Sequence, residues 1–257
     1  MHIYICENTL EGVWSAVFQA YADRFPHEEN KIVTGKVSNY ELFAQYHTVT
    51  TNPQHALRVS QRLNNTFGYN VYYDLCAALF CEGKHAQKAV NAVYHTIVLG
   101  LRSRHPERIL DSLTNPYVEA VFAAARETKR EAGHFLEFSR FRELSNKVLL
   151  CVIHPQNYVM PFLTDHFDNR MPLESFIIYD ADRDLAALHH PSQPSIFIHH
   201  PEFAQEALTR YSEEEQQYEE LWIQFFHSIE ISARRNPKLQ QQNIPKRFWK
   251  DTVELHP

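Results

Sequence analysis

With 257 residues, 44% of them hydrophobic and 13% aromatic, and only six glycines, the chain has the make-up of a globular protein with a sizeable core, not of a disordered or collagen-like one. A formal charge of −6 argues against wholesale wrapping by nucleic acid and leaves room for a local basic surface. The four cysteines, Cys6, Cys76, Cys81 and Cys151, show no CxxC spacing, so zinc and iron–sulfur clusters have no visible ligand set and no cofactor is indicated.

In chain order, residues 2–6 form a β-prone run, and residues 10–24 carry Val13, Trp14, Val17, Phe18 and Tyr21 at helical spacing. Between them Gly12 stands alone, without GxGxxG or GxxxxGK[ST], so Glu11-Gly12 is a turn or helix start and not a phosphate loop. Residues 26–51 are polar with scattered aromatics and are expected to be irregular. Asn52-Pro53 and Asn115-Pro116 are helix starts, an Asn cap followed by Pro in the first turn. Further helices are predicted over residues 71–80 and 84–101.

The pattern changes at Gly133. Residues 135–143 (FLEFSRFRE) alternate aromatic with polar residues and, with residues 147–154, predict a β-hairpin. Residues 158–167 have helical spacing. Residues 175–180 and 185–189 predict a second hairpin, and residues 195–199 a further strand. The opening residues carry no secretory pattern, and nowhere do about 18 apolar residues run together, which predicts cytoplasmic residence away from membranes.

From Ser212 to Trp249 a long helix, a turn and a basic segment follow one another. Ser212 and Glu215 form a capping box. Tyr218, Leu221, Trp222, Phe225, Phe226 and Ile229 mark an apolar face, expected to be buried. Asn236-Pro237 starts a second, short helix. From Ile231 through Lys250 there are six Lys or Arg and no Asp or Glu. The predicted fold class is α+β: a mostly helical region over 1–132, an antiparallel β-β-α-β-β unit over 133–200, and a C-terminal helix with basic tail over 201–257, packed on what precedes it.

The catalytic inventory is sparse. There is no HExxH and no GxSxG. Adjacent histidines such as His189-His190 and His199-His200 point to opposite faces of a strand, so no metal site is read from them. His166, near Asp168, and Asp180, in an Asp-rich turn, are the candidates for acid–base work. A helix end and a tight turn account for the same residues without chemistry. Arg234, Arg235, Lys238, Lys246 and Arg247, interleaved with Phe248 and Trp249, could meet phosphates while Trp249 stacks on a base. An equally good account makes Phe248 and Trp249 anchors of a docked terminus. Arg140 and Arg142 share one strand face and could extend the basic surface.

The segment FFHSIEISARRNPKLQQQNIPKRFW (residues 225–249) resembles the C-terminal signature of a bacterial family described as DNA metabolism proteins of unknown biochemical activity. HFLEFSRFREL (134–144), IHPQNYVMPFLTDHFDNRMP (153–172), FIIYDADRDLAAL (176–188) and the opening Leu10-Glu11-Gly12 are similar to further blocks of that family, so the resemblance covers nearly the whole chain. It implies a DNA-repair context, with a radical-SAM repair protein as partner and an association with uracil-DNA glycosylase-like domains. It implies no catalytic residues. The expectation is a DNA-directed accessory protein that binds nucleic acid or a damaged base. The alternatives are an enzyme acting on a nucleobase or glycosidic bond, and an adaptor that docks the partner protein through the 218–229 helix or the tail without touching DNA.

Overall fold

The β-prone opening folds as β1 (His2–Cys6), the middle strand of a three-stranded sheet. It is flanked by β2 (Asn30–Thr34) and β3 (Gln45–Thr48), both parallel to it. Four of the five β1 residues are buried, as a parallel strand covered on both faces requires. The computed structural model describes residues 1–35, 40–201, 209–252 and 255. They fall into two compact units, Met1–Arg130 and Glu131–Pro257.

In the first unit, α1 (Leu10–Ala22) is capped by Thr9, whose hydroxyl accepts from the Gly12 amide at 3.0 Å. A Cβ on Gly12 would lie 2.5 Å from the Glu7 carbonyl oxygen, so this glycine serves the close entry of helix onto strand. Asn52 caps α2 (Pro53–Phe67), accepting from the amides of Gln54 and His55. Gly68, at φ +79°, lets the chain turn into α3 (Tyr69–Leu79). Two longer helices follow, α4 (Ala86–Arg102) and α5 (Pro116–Phe138). The core gathers Tyr4, Trp14, Ile32, Phe67, Leu75, Tyr94 and Ile97.

Two expectations change here. The stretch 26–51 is not irregular throughout, because it supplies β2 and β3, short strands given order by pairing with β1. Residues 36–39 within it lie outside the described residues. The hairpin strand expected over 135–143 is also shortened to β4 (Arg142–Glu143), since α5 continues to Phe138 and Phe135 and Phe138 sit on its last turns. A glycine costs a helix interior only about 1 kcal/mol, which the buried Phe135 offsets.

The second unit begins within α5. Its five-stranded sheet is ordered β4-β5-β6-β7-β8, from β4 (Arg142–Glu143), β5 (Leu149–Ile153), β6 (Phe176–Asp180), β7 (Leu185–His189) and β8 (Ile196–His199). The fold is α+β, but the expected antiparallel β-β-α-β-β unit is corrected to a mixed sheet. β5 and β6 run parallel, joined across α6 (Met160–Arg170), the crossover that parallel neighbours need. The other three pairings are antiparallel.

The long helix α7 (Glu213–Ser228) starts where the capping box places it, with the Ser212 hydroxyl accepting from the Glu215 amide at 3.1 Å. Its apolar face, however, is not buried: Tyr218, Leu221, Trp222, Phe225 and Ile229 are all exposed. Ion pairs explain the rotation. Glu215 meets Arg140 at 3.3 Å and Glu219 meets Arg142 at 2.5 Å, turning the stripe through residues 215, 219, 223 and 226 toward the sheet. The basic tail then forms α8 (Pro237–Asn243), capped by Asn236, and a 3-10 turn over Lys246–Asp251. Residues 202–208, 253–254 and 256–257 and the side chains of Lys250 and Asp251 lie outside the described residues. Among the described residues no helix is long and apolar enough to cross a membrane.

Candidate nucleic-acid interface

The C-terminal segment is held at two points, both set by α5. Phe248 is 2% exposed and packs edge-on against Phe135, ring centroids 4.8 Å apart, and against His134 at 5.4 Å. Beside it Arg247 reaches Glu131 at 2.9 Å, with its guanidinium 4.7 Å from the Phe248 ring. Glu131 is 2% exposed. It also accepts from the amides of Gln156 (2.9 Å) and Asn157 (2.8 Å) and from the Asn157 side chain (2.6 Å). This carboxylate is fully solvated by protein donors, as a buried charge must be. Sequence reasoning missed it. The signal was present: Ala124, Thr128, Glu131 and Phe135 share the buried stripe of α5, and a Glu in such a stripe needs partners.

The predicted basic residues separate into two groups. Arg140, Arg142 and Arg247 are engaged: the first two with Glu215 and Glu219, the last with Glu131. Arg142 also lies 3.6 Å over the Tyr211 ring. Arg234, Lys238 and Lys246 are exposed and have no carboxylate partner among the described residues, while Arg235 meets Glu230 at 3.2 Å. Trp249 is half-buried, its indole donating to the Ile244 carbonyl at 2.9 Å, with the Lys246 ammonium 5.9 Å from its ring.

The two acid–base candidates are not brought together. His166 is exposed on α6. Asp180 is 0% exposed; it closes the β6–β7 turn by accepting from the amides of Asp182 and Arg183, and pairs with the Arg183 guanidinium at 2.9 Å. Burial pushes its carboxyl above the usual range, against the opposing pull of Arg183. Asp168 serves elsewhere, accepting from the Ser195 hydroxyl at 2.5 Å and lying 2.9 Å from His189. Since the carboxylate, not the imidazole, stands between serine and histidine, the serine lacks the adjacent base of a nucleophile. Among the described residues no three His, Cys, Asp or Glu side chains converge as metal ligands.

The first unit adds a polar cleft of about 490 Å³, lined by Ser15, Gln19, Asp23, His47, Asn52 and His55 among others. Two of these residues have buried partners: Asp23 accepts from the Tyr4 hydroxyl at 3.0 Å, and His47 meets His2 at 3.1 Å. Burial lowers the His2 pKa and raises that of Tyr4, so both are neutral near pH 7. Asn52 was read from the sequence only as a helix cap, and the other residues of the cleft were not singled out because no motif marks them.

Together these features define an α+β protein of two units whose second is closed by a docked basic terminus. The chain belongs to the family of a domain of unknown function, DUF4130, which matches residues 87–254, from the start of α4 through the C-terminal segment. None of the curated proteins matches it.

Proposed function

We propose that the protein is a cytoplasmic accessory of DNA metabolism, binding nucleic acid through its C-terminal basic segment and working with a radical-SAM repair protein that holds the iron–sulfur chemistry. The context comes from the resemblance of residues 134–188 and 225–249 to DNA metabolism proteins. The observation that carries the binding is the pinned display of free cations. Phe248 and Arg247 fix the backbone, while Arg234, Lys238 and Lys246 stay exposed and unpaired among the described residues. A phosphate then meets cations that need not first leave a carboxylate.

Affinity for duplex and single-stranded oligonucleotides, measured against salt, tests this. Each neutralised phosphate contributes a log–log slope of about −0.9 on duplex and −0.7 on single strands. Changing Arg234, Lys238 and Lys246 together to Ala should flatten the slope by about 2 to 3. An unchanged slope, or binding that ignores salt, refutes it. Arg247 is left out of the variant because its loss would undock the segment.

The exposed apolar face of α7 favours a second function, an adaptor that docks the partner protein. Changing Trp222 and Phe225 to Asp should then abolish co-purification with the partner and leave DNA affinity intact. Retained co-purification rejects the adaptor.

A further inference from the structure

The chain has more acids than bases, 31 against 25, so a cleft that gathers exposed cations without an acidic partner calls for a physical account. One cleft in the first unit gathers three such cations. It has a volume of about 380 Å³ and lies between the residues leading into α4 and the outer face of α5, lined by Lys84, His85, Phe122, Arg126, Glu127 and Arg130, with Glu119 at its end. Lys84, Arg126 and Arg130 are exposed and have no acidic partner among the described residues. Phe122, Arg126 and Arg130 follow at four-residue steps, so they form one ridge rising about 6 Å per step along α5. Phe122 is 42% exposed, an aromatic face offered to the same space as the cations.

The acid on this wall is set apart from them. The Glu127 carboxylate lies against Gly83, where a Cβ would come within 2.1 Å of its Oε1. Its Oε2 is buried without a hydrogen-bond partner, and the nearest cation candidate, His85 Nε2, is 3.8 Å away, beyond hydrogen-bond reach. A buried carboxylate oxygen with no donor is costly and calls for one. The cleft therefore presents three things: cations for an anionic group, a flat apolar face, and a buried acceptor for an N–H or O–H.

We infer that this cleft binds a nucleotide, its phosphate on Lys84, Arg126 and Arg130, its base on Phe122, and a base amino or imino N–H donated to Glu127. Phosphate alone would leave Phe122 and Glu127 unused, and an apolar ligand would leave the cations unused. The site shares no residue with the C-terminal segment, so it stands or falls apart from the function proposed above. The nucleotide could arrive free or as a unit of a strand, and the chemistry is the same.

The test is calorimetric titration of the full chain with the four nucleoside monophosphates, with inorganic phosphate, and with a short single-stranded oligonucleotide as competitor. At least one monophosphate should bind, and roughly tenfold or more tightly than inorganic phosphate, because stacking is lost with the latter. Phe122→Ala should remove that difference. Arg126→Ala with Arg130→Ala should weaken monophosphate binding roughly tenfold or more, because charge-assisted contacts to the phosphate are lost, and all these side chains are exposed, so the fold survives. Competition by the oligonucleotide assigns the site to a strand unit, and its absence to a free nucleotide. The combined Arg234, Lys238 and Lys246 variant should bind monophosphates as the parent does. No binding by the parent chain, equal binding of phosphate and nucleotide, or indifference to Arg126 and Arg130 overturns the assignment.

Discussion

The tie between Glu131 and Arg247 can be weighed by removing each partner in turn, and the two losses should be unequal. Glu131→Ala strands the amide and side-chain donors of Asn157, which is itself 1% exposed; the Gln156 amide belongs to an exposed residue and regains water. Buried donors left unpaired cost about 1–3 kcal/mol each, and with the guanidinium contact the total comes to about 3–5 kcal/mol, the usual range for breaking a buried charge network. Arg247→Ala leaves the carboxylate three N–H donors. The Arg247 side chain is 41% exposed, so its loss should cost about 1–2 kcal/mol, the low end for a hydrogen bond to a charge. In the Glu131→Ala background, removing Arg247 should then cost little, giving a coupling of about 1 kcal/mol. Urea denaturation of the two single variants and the double supplies the cycle, and trypsin cleavage at Arg234, Arg235 and Lys238 reports whether the segment loosens. An Arg247→Ala loss equal to or larger than that of Glu131→Ala, or strict additivity, would refute the network.

Gly100→Ala should destabilise by about 1–3 kcal/mol despite alanine's better helix propensity, because its Cβ would sit 2.1 Å from the Phe67 ring; a gain in urea midpoint would contradict this. Asn52→Ala should cost about 1 kcal/mol through loss of the α2 cap, read by the same denaturation, with no change counting against it. Leu221→Ala, on the exposed face of α7, should stay within about 0.5 kcal/mol of the parent; a loss of several would show that the face is covered. The first unit should also be acid-labile, since His2, His27 and His95 all have pKa values held down chiefly by burial. Groups with a depressed histidine pKa are neutral in the fold, so the unfolded chain protonates first and stability falls as pH drops below about 6.5. Melting followed by the buried Trp14 at pH 7.5 and 5.5 checks this, and an equal or higher midpoint at pH 5.5 would reject it.

Local chemistry was legible in the sequence and remote pairing was not. The caps at Asn52, Asn115, Ser212 and Asn236 were readable because a cap and its amide lie two or three residues apart. β6, β7 and β8 were readable from alternation and tight turns. β2 and β3 were missed because their order comes from β1, far off in sequence, and β3 has no fully buried residue of its own. The direction of β5 against β6 was open to inference, since a helix intervenes and a crossover favours parallel pairing; hydrophobic period alone carries no polarity. Periodicity likewise showed that α7 has an apolar face without showing which way it turns. That is fixed by Arg140 and Arg142 pairing across about 75 residues of sequence with Glu215 and Glu219. For the candidate site, the basic residues were visible as a list, but their division into paired and unpaired was not, because it depends on where Glu131, Glu215 and Glu219 fold.

That division bears directly on what each cation can do. A phosphate approaching Arg142 must displace a carboxylate already at 2.5 Å, so the exchange returns only the difference between two similar charge-assisted bonds. A phosphate approaching Arg234, Lys238 or Lys246, or Lys84, Arg126 or Arg130, displaces only counterions, and their release is the favourable term in binding a polyanion. In a protein with a net charge of −6, a ligand of like sign is repelled at long range, and the Debye length near 8 Å at physiological salt confines attraction to the immediate surroundings of a cluster. Affinity must therefore come from groups of unpaired cations rather than from the molecule's overall field. The paired arginines serve a different end: Arg140 and Arg142 hold α7, and Arg247 holds the segment that carries Arg234, Lys238 and Lys246. Unpairing them would weaken the platform without adding to the surface.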